Sequence, residues 1–379
     1  MLKTKILIDC SELNTNNNGG VLSYSIDICR AFFLNPKVES TLLIKGEDYD
    51  FFKKEQIILL PHKVIKIKKP NRLFRLFLVI LIIFKVRRAY LEIKSFRVRK
   101  FLKEDTFDCL YTPTTYLNYN FYDIKSVVTL HDIQEKDLPK NFSLFERFYR
   151  DFRTQITLQN SSLIHVSSKF IKNTISNHYS SLFKKSKFLV IPEGVDLASF
   201  TNSTGKKQKQ IIFPARPWKH KNHKIFLEAL DYLKTDTSVK YILTGVARED
   251  LDQYPLDDYS NVEFKGTVTK EELMKLYSQS FAVLSCSLYE SSSLPVLEGI
   301  ASGCFVLASN IQAHIEMAQD FDISFFDTAS SIDLANSIFN LVKDYDLGQP
   351  ISSRNRINIK NRDWGNICNH LIEEIESIR

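Results

Sequence analysis

The sequence has little of what builds disulfide frameworks, metal knots or membrane-spanning helices. Its six cysteines stand far apart, with no C-x-x-C pair and no histidine at zinc-ligand spacing, which excludes a disulfide scaffold and a zinc module. Glycine is scarce, with 11 in 379 residues, so a Gly-Gly pair calls for a conformational reason. The most apolar run, residues 76–84, has nine residues, whereas a spanning helix needs about 20. After these exclusions, the sequence predicts a globular protein in a reducing compartment.

Length and composition predict an ordinary two-domain protein. At roughly 150 residues per domain, 379 residues favour two domains over one or four. Hydrophobic residues at 44% and charged residues at 25% exclude disordered, collagen-like and coiled-coil classes. The N-terminal apolar stretch runs directly into Asp9 and Glu12, which predicts a buried first strand rather than a secretory signal. We therefore expect a cytoplasmic protein.

Short apolar runs alternate with helical patterns in two series, as in successive βαβ units. The first series predicts strands at 5–10, 41–44, 107–111, 126–130 and 163–166, and the second at 211–214, 241–244, 262–265, 282–285 and 305–308. Residues 197–210 lack an apolar period and predict a linker. The fold class is therefore α/β, with two Rossmann-like, doubly wound domains, 1–196 and 197–359. We expect them to face each other across a cleft that holds the site, at the carboxyl ends of the strands.

Two glutamates stand in a strand–loop–helix pattern in the second series. The predicted strand ends near Ser285, Pro295 marks a helix start, and Gly303 suits a C-terminal cap. This pattern puts Glu290 in the loop and Glu298 in the first turn of the helix, where unpaired N–H groups favour an anion. Glu298 could instead simply stabilise the helix N-terminus through the helix dipole.

This stretch resembles the retaining sugar-nucleotide glycosyltransferases of GT-B fold, family 4 type. The resemblance rests on the YE-x3-LPVLE-x-IASG context from Tyr289 to Gly303. It implies that Glu290 contacts the donor sugar, that Glu298 binds the nucleotide ribose, and that Ser293 and Leu294 belong to the donor-binding loop. The donor would be a UDP- or GDP-linked sugar, with no further cofactor and no metal.

A second match lies in FPARPWKHKNHKIFLEAL, where the second series begins. It resembles the family's basic loop, and the resemblance assigns Arg216 and Lys221 to the donor diphosphate as catalytic cations. A departing diphosphate gains negative charge, which fixed cations and a helix N-terminus stabilise without a metal ion. The alternative is that both are ordinary surface charges; Lys219, His220 and His223 we expect to be solvated neighbours rather than ligands.

Weaker matches fall in the first half and at the end of the chain. TNNNGG after the first strand resembles the family's glycine loop, which implies that Gly19 and Gly20 bring a backbone amide close to the donor. VVTLHDI resembles the strand-to-HD turn, which assigns His131 to the donor sugar with Asp132 as its support; a structural histidine is the alternative. The C-terminal helix, 360–379, resembles the helix that completes the first domain.

The loop after the first glutamate departs from the family pattern. The family usually has E-G-x-G-L-P, whereas this chain has Ser291, Ser292 and Ser293. Serine side chains would stand where bare amides hold the donor sugar. This departure motivates two alternative functions: a catalytically silent scaffold that binds a sugar nucleotide, and a sugar-nucleotide epimerase.

One segment, residues 66–103, carries the excess positive charge. It holds 13 Lys or Arg and one acid, whereas the remaining residues hold 38 basic and 43 acidic side chains. Basic residues beside the apolar run favour a helix lying on an anionic membrane, the alternative being a core helix with a solvated flank. Nucleic acid is a poorer partner, because no nucleic-acid module accompanies the segment.

Together, these observations predict a peripheral enzyme on the inner face of the cell membrane. It would move a sugar from a nucleoside-diphosphate donor to a hydroxyl of a saccharide or lipid-linked saccharide, with retention, in the synthesis of a surface polysaccharide such as O-antigen.

Overall fold

The structure is a computed structural model. It describes residues 3–15, 19–59, 63–102, 105–200, 207–234, 237–251, 259–350 and 352–378. These residues form two compact units: unit 1 is 1–193 with 364–379, and unit 2 is 194–363. The domain boundaries predicted from the sequence are 196/197 and 359/360, whereas the observed units change at 193/194 and 363/364.

Thirteen strands lie within the described residues. They are β1 Thr4–Asp9, β2 Val38–Lys45, β3 Lys63–Ile67, β4 Cys109–Thr112, β5 Lys125–Thr129, β6 Leu163–Val166, β7 Phe188–Val190, β8 Gln208–Pro214, β9 Lys240–Thr244, β10 Val262–Phe264, β11 Ser280–Ser285, β12 Phe305–Ser309 and β13 Ser324–Phe326.

Sixteen α-helices connect or cover these strands in the same described part of the chain. They are α1 Gly20–Leu34, α2 Tyr49–Lys54, α3 Arg72–Ile83, α4 Arg87–Leu102, α5 Gln134–Asp137, α6 Leu144–Asn160, α7 Lys169–His178, α8 Ser180–Phe183, α9 Leu197–Phe200, α10 His223–Leu233, α11 Lys270–Gln279, α12 Leu294–Ala301, α13 Gln312–Met317, α14 Ser331–Asp346, α15 Ser353–Asn358 and α16 Trp364–Ser377.

Unit 1 is a seven-stranded parallel sheet in the order β3-β2-β1-β4-β5-β6-β7. Its central strands are buried almost throughout, because each face of a parallel sheet is covered. One face packs against α1 and α16 through residues such as Phe32 and Leu371. The other packs against α4 and α6 through residues such as Val98 and Phe152.

Unit 2 is a six-stranded parallel sheet in the order β10-β9-β8-β11-β12-β13. Helices α10 and α14 cover one face, with Phe226 and Ile338 in the core. Helices α11 and α12 cover the other, with Tyr277 and Leu297. The ten strands predicted from sequence are all present, so the α/β class with two parallel sheets is confirmed.

Three strands and one connection differ from the sequence expectation. Strands β3, β7 and β13 are not among the predicted ones; they lie towards the sheet edges and are five residues long or less. The predicted linker, 197–210, contains α9 and the first residues of β8, while 201–206 lie outside the described residues. A segment without an apolar period therefore still contains part of a helix and part of a strand.

The spacing of Phe145, Phe148, Phe152 and Ile156 predicts an amphipathic helix with its apolar stripe in the core, but the stripe on α6 is buried only in part. Phe152 and Ile156 are buried in the core, but Phe145 in the first turn is 57% exposed. The helix starts at Leu144, after the Ser143 cap, so its first turn lies beyond the edge of the core. Periodicity identified the helix correctly and overstated how much of its length is covered.

Helix α12 lies tightly against β11 at Gly299. A Cβ added there would stand 2.3 Å from Cγ1 of Val283. We expect Gly299→Ala to lower the free energy of unfolding of unit 2 by about 1–3 kcal/mol through overpacking, which outweighs the roughly 1 kcal/mol gained in helix propensity. Urea unfolding measures this change.

The matched control is Gly46→Ala, whose added methyl meets only the carbonyl oxygen of Ile67, at 3.9 Å. Adding Val283→Ala to Gly299→Ala should recover part of the loss. Equal stability of Gly299→Ala and the original protein would contradict the packing described here.

Candidate functional site

The order of the strands in unit 2 identifies where a ligand site should form. From β8 the chain moves outward through β9 and β10, and then returns to the other side of β8 with β11. The loops that leave the carboxyl ends of β8 and β11 therefore diverge at a switch point, where doubly wound sheets bind ligands. Arg216 and Lys221 lie in the first of these loops, and Glu290 in the second.

The loop after β11 leads into α12 as the sequence predicts. Helix α12 has Pro295 as its second residue. It ends in a Schellman motif, because the N–H of Gly303 donates to Ile300 and that of Cys304 donates to Gly299. Gly303 has φ +68°, a conformation that favours glycine. This capping fixes the length of α12 and hence the loop that carries Glu290.

Lys221 and Glu290 form a half-buried ion pair between the two loops. Lys221 Nζ lies 2.5 Å from Glu290 Oε1, and Ser287 Oγ donates to the same oxygen at 2.6 Å. The N–H of Leu288 donates to the carbonyl of His220 at 2.7 Å, which joins the loops by backbone as well. Burial alone would raise the pKa of Glu290, but Lys221 and Ser287 outweigh it and lower that pKa. The pair is ionised and held rigidly.

Arg216 stands on the same loop as Lys221 and is half-buried. Its guanidinium lies 5.9 Å from the centre of the Trp218 ring. Gly245, just after β9, packs beneath it: with φ +80°, an added Cβ would stand 3.3 Å from the carbonyl oxygen of Ala215 and 3.5 Å from Arg216 Cγ. Glycine at this position allows the loop after β9 to pack closely against Ala215 and Arg216.

The sequence predicts Glu298 in the first turn of α12, but in the structure Glu298 lies beyond that turn. The helix begins at Leu294, so Glu298 is its fifth residue, and the first turn holds no acid. Its carboxylate instead lies near the buried hydroxyl of Tyr277, which donates to the carbonyl of Pro295 at 3.2 Å; burial first and Glu298 second raise the pKa of Tyr277. The dipole explanation for Glu298 is therefore wrong.

The serines of this loop adopt ordinary backbone conformations. None of Ser291, Ser292 and Ser293 has positive φ, so the backbone does not demand glycine at these positions. Ser293 is the N-cap residue of α12, yet its buried Oγ has no hydrogen-bond partner among the described residues. Leu294, the first residue of the helix, is half-buried beside it.

His314 is a further buried group at this edge that the sequence analysis missed. It lies on α13, just after β12, and its Nδ1 is 2.8 Å from the carbonyl oxygen of Ser309. Burial lowers the pKa of His314, as does Lys221, while Glu290 acts in the opposite sense. A neutral ring that donates from Nδ1 has Nε2 as an acceptor. Nothing in SNIQAHIE marked His314, because its neighbours are distant in sequence.

In unit 1, the glycine pair opens α1 as expected. Gly19 is the N-cap and Gly20 the first residue of the helix. Gly19 has φ −95° and ψ 173°, and neither glycine has positive φ. The expected conformational reason for the pair is therefore absent. Residues 16–18, the asparagines before it, lie outside the described residues.

His131 follows β5 and is buried, with both ring nitrogens near protein acceptors. Its Nε2 lies 2.8 Å from the carbonyl oxygen of Pro113, after β4, and its Nδ1 lies 3.8 Å from Glu193 Oε1. The ring of Tyr24, on α1, meets it edge-on at 4.7 Å. Glu193, which the sequence analysis did not select, stands in the VIPEGVD stretch and is buried beside His131.

Asp132 does not support His131, contrary to the sequence expectation. Its Oδ1 accepts from Arg150 Nη2 at 2.7 Å and from the N–H of Gln134 at 3.2 Å. Arg150 also binds Glu135 at 2.8 Å. Asp132 therefore fixes α6 to the loop after β5, and His131 is held by Pro113 and Glu193 instead.

The basic segment forms β3, α3 and α4, while Lys103 lies outside the described residues. Ile82 is the one buried residue of α3, a helix that is described in full. Five further apolar side chains of α3 and the one at its C-cap are between 43% and 77% exposed, and we call these six the α3 stripe: Leu73, Leu76, Phe77, Ile80, Ile83 and Phe84. Arg72, Arg75, Lys85 and Arg88 are exposed around it. Among the described residues, no helix is both long and apolar enough to cross a bilayer.

His223, expected from the sequence to be solvated, is instead buried at the start of α10, with Nε2 3.2 Å from the carbonyl oxygen of Ala215. With His165, which is buried in unit 1, it makes the stability of each unit depend on pH. Burial lowers the pKa of His165, in unit 1, and of His223, in unit 2, to about 4, whereas an unfolded histidine titrates near 6.5. Between these values the unfolded state binds more protons, so the free energy of unfolding falls as pH decreases from about 6.5 to 4. Each histidine contributes up to roughly 1.4 kcal/mol per pH unit.

Urea unfolding across this pH range tests the expectation. Trp364 reports on unit 1 and Trp218 on unit 2, so variants that keep one tryptophan follow each unit separately. His165→Gln should flatten the pH dependence of unit 1 and leave that of unit 2 unchanged. If the free energy of unfolding of unit 1 depended on pH equally in His165→Gln and in the original protein, this expectation would be contradicted.

Comparisons with known families match both halves of the chain. The family described as "Glycosyltransferase Family 4" matches residues 45–199, and the family described as "Glycosyl transferases group 1" matches residues 196–364. The chain is 27% identical over 198 residues to the O-antigen chain mannosyltransferase RfbU of Salmonella typhimurium. That match covers 50% of this chain and 53% of RfbU, about half of the relative's length.

Solved structures match nearly the whole chain at low identity. The Anabaena protein HepE, in complex with UDP and glucose, has 17% identity and a TM-score of 0.68 over 99% of this chain and 100% of that one. Sucrose-phosphate synthase from Thermosynechococcus elongatus has 14% and 0.71 over 99% of both chains. S. aureus TarM, as a variant in complex with UDP and other ligands, has 14% and 0.73 over 98% and 99%. These likenesses show the GT-B fold and confirm that expectation.

Proposed function

Since the chain belongs to the group 1, family 4 glycosyltransferases of GT-B fold, we propose that it moves a sugar from a nucleoside-diphosphate donor to an acceptor hydroxyl with retention at the anomeric carbon. The observation that carries this proposal is the half-buried Lys221–Glu290 pair at the switch point of unit 2. It puts a fixed cation and a fixed carboxylate where a parallel sheet binds ligands.

The cations of the basic loop would stabilise the departing diphosphate. As the bond between the anomeric carbon and the diphosphate oxygen breaks, negative charge develops on that oxygen. Lys221 and Arg216 are held in position before the reaction, so they stabilise this charge without reorganising. The new bond forms between the anomeric carbon and the acceptor oxygen, on the face from which the diphosphate leaves. The acceptor's proton passes to the departing diphosphate oxygen, so no protein base is needed.

Glu290 and Glu298 would bind the sugar and the ribose of the donor. Glu290 keeps a lowered pKa in spite of its burial, so it is a carboxylate that accepts hydrogen bonds from sugar hydroxyls. Glu298 would accept from the nucleotide ribose in the same way. Ser293 supports this assignment, since its buried, unpartnered Oγ is a polar atom that a donor could satisfy.

In unit 1 we assign Gly19, Gly20 and His131 to the donor sugar, as the family resemblance implies. The opening of α1 at the glycine pair presents backbone N–H groups without side chains, which suits close approach of an oxygen. His131 is held through Nε2 by Pro113 and stands beside Glu193. Such a ring orients a substrate and does not serve as a free base.

The acceptor proposed is a lipid-linked saccharide of a bacterial surface polysaccharide, on the inner face of the cell membrane. The α3 stripe supports this part of the proposal, because six apolar side chains stand exposed among four exposed cations. Apolar side chains that enter the acyl boundary and cations near anionic headgroups both contribute to binding at an interface. The likeness to an O-antigen mannosyltransferase points to the same pathway.

The donor is tested by thermal shift with UDP, GDP and ADP and their sugars. A ligand that binds only the folded state at 100 times its Kd adds about 2.7 kcal/mol to stability, so the melting temperature of unit 2 should rise by several degrees with one nucleotide series. As a control for loss of a surface charge, Lys343→Ala on α14 should show the same nucleotide-induced rise in melting temperature as the original protein. No shift with any sugar nucleotide would refute the proposal.

Transfer to acceptor separates the proposed enzyme from its alternatives. The enzyme should consume donor only when lipid extract or a soluble saccharide acceptor is present and give a glycosylated product. A silent scaffold would show the thermal shift without turnover, and an epimerase would convert the donor with no acceptor present.

A further inference from the structure

Unit 1 contains a small pocket at the carboxyl ends of β1, β2 and β3, closed by α3 and α4. Its volume is about 30 Å³. It is lined by Ser11, Glu12, Lys45, Ile67, Lys68, Pro70, Phe74, Leu78, Lys94, Arg97 and Tyr119. These are strand ends and loops of a doubly wound sheet, where ligands bind, but none of them is assigned to the donor.

The size of the pocket restricts what it can hold. One water needs at least 10–15 Å³ measured in this way, so 30 Å³ admits about two water-sized groups. That space suits the oxygens of one phosphoryl group, whereas the sites of larger ligands measure hundreds of Å³. A sugar ring does not fit.

The charge of the lining favours an anion. Lys45, Lys68, Lys94 and Arg97 come from three separate elements or their ends, against a single carboxylate, Glu12. Lys94 is itself buried, 3.2 Å from Glu12. Burial would raise the pKa of Glu12, but Lys94 and other cations lower it overall, so Glu12 stays ionised.

The lining remains net positive even after Glu12 is counted. Two buried groups lie nearby: Arg153, which donates to Asn118 at 2.6 Å and to Tyr149 at 2.7 Å, and the carboxyl group of Asp9, which accepts from the same Asn118 at 3.0 Å. Burying cations costs free energy unless an opposite charge is near. An anion in the pocket would supply that charge.

The apolar part of the lining indicates what the anion is attached to. Phe74 and Leu78 form the pocket wall on α3, while the α3 stripe on the same helix is exposed. Arg97 reaches across from α4 to lie 5.3 Å over the Phe74 ring and to donate to the carbonyl of Lys68. A ligand seated here would have its charged end among cations and its remainder beside exposed apolar side chains.

We propose that this pocket binds the phosphoryl group of an anionic lipid, whose chains lie along the α3 stripe. The inference deepens the proposed function and rests on the membrane part of it: a lipid with a terminal phosphate monoester, on the same membrane surface as the acceptor, is the molecule whose phosphoryl group enters the pocket. Membrane binding is then specific for an accessible phosphate, beyond general attraction to negative surface charge.

The test compares vesicles of phosphatidylcholine that contain either phosphatidic acid, with a terminal phosphate monoester, or phosphatidylglycerol, with a covered phosphodiester, adjusted to equal surface potential. We expect binding about tenfold tighter to phosphatidic acid, the effect of roughly one additional charge contact. The double substitution Lys45→Gln, Lys68→Gln should abolish this preference.

The matched control is Lys53→Gln, Lys54→Gln on α2, which removes the same charge from exposed positions outside the pocket. It should weaken binding to both vesicles equally and keep the tenfold preference. Absence of a preference in the original protein, or its equal loss in both double variants, would overturn the proposal.

Inorganic phosphate without vesicles separates a lipid phosphate from a free one. If it raises the melting temperature of unit 1, and the Lys45, Lys68 variant removes that shift, the pocket takes free phosphate and the lipid assignment is wrong. Donor binding and transfer to a soluble acceptor depend on other residues, in both units, none of which lines this pocket. A failure there would leave the phosphatidic acid preference standing, so the two proposals fail separately.

Discussion

Replacing Lys221 with alanine is expected to cut turnover by about two orders of magnitude. This is the usual loss when one fixed group that stabilises developing charge is removed. Nucleoside-diphosphate affinity should fall as well, because the cation would contact the donor's diphosphate in the ground state too. Steady-state kinetics with the donor found by thermal shift, together with titration calorimetry of the nucleoside diphosphate, measures both quantities.

The same substitution has a structural effect that must be separated from the catalytic one. Lys221 lies 2.5 Å from the Glu290 carboxylate, and the two side chains are 13% and 12% exposed. Removing one partner of a fully buried pair costs about 3–5 kcal/mol, so we expect a smaller loss for this half-buried pair. The double variant Lys221→Ala, Glu290→Gln removes the stranded charge. It should recover most of the stability of unit 2 and none of the turnover.

The pH dependence of this loss has a definite sign. The pKa of Glu290 is lowered in the folded state, so the pair contributes stability above the unfolded pKa of glutamate, near 4.3. That contribution is lost as pH falls through the folded pKa. The difference in stability between Lys221→Ala and the original protein should therefore be largest near neutral pH and shrink below about pH 4.

The control for both measurements is Lys224→Ala, on α10. Lys224 is an exposed lysine three residues further along, 3.5 Å from Glu228, and exposed pairs contribute little. Near-normal turnover in Lys221→Ala, with Lys224→Ala also normal, would remove Lys221 from the proposed mechanism.

Three polar substitutions on the α3 stripe, Leu73→Ser, Leu76→Ser and Phe84→Ser, should weaken binding to anionic vesicles by about two orders of magnitude. These side chains are 77%, 58% and 73% exposed. A fully buried apolar side chain contributes about 1.5–3 kcal/mol. At roughly 1 kcal/mol for each partly inserted side chain, the loss is about 3 kcal/mol, a factor of about 100. Sedimentation with vesicles measures it.

A matched triple variant in unit 2 controls for a general loss of surface hydrophobicity. Ile332, Phe339 and Leu347 are 52%, 62% and 66% exposed, and their serine variants should bind vesicles normally. Transfer to a soluble acceptor should be unchanged in both triple variants. Unchanged vesicle binding by the α3 variant would show that the stripe serves another purpose.

The charges around the stripe contribute unequally. Arg88, at the start of α4, already donates to Glu92 at 2.8 Å, so neutralising it removes a charge that is partly compensated within the protein. Arg72 and Arg75 lie on α3 itself and are exposed. Neutralising these two should therefore reduce vesicle binding more than neutralising Arg87 and Arg88.

The sequence alone determined the fold class and most of its elements. Apolar runs such as KILIDC and FAVLS predict buried parallel strands, because such strands are covered on both faces and have no polar positions. The cap at Gly303 was also predictable, because a helix end that needs positive φ selects glycine locally. Strands and helix caps depend mainly on residues close in sequence, so they can be predicted from the sequence alone.

The tertiary structure decided which charged groups meet. Glu290 and Lys221 are 69 residues apart, and they form a pair because β8 and β11 are adjacent in the sheet. The same holds for His314, His131 with Glu193, and the cations of the unit 1 pocket. Spacing along the chain does not encode which strand ends are neighbours; strand order does, and strand order follows from the packing of the whole sheet.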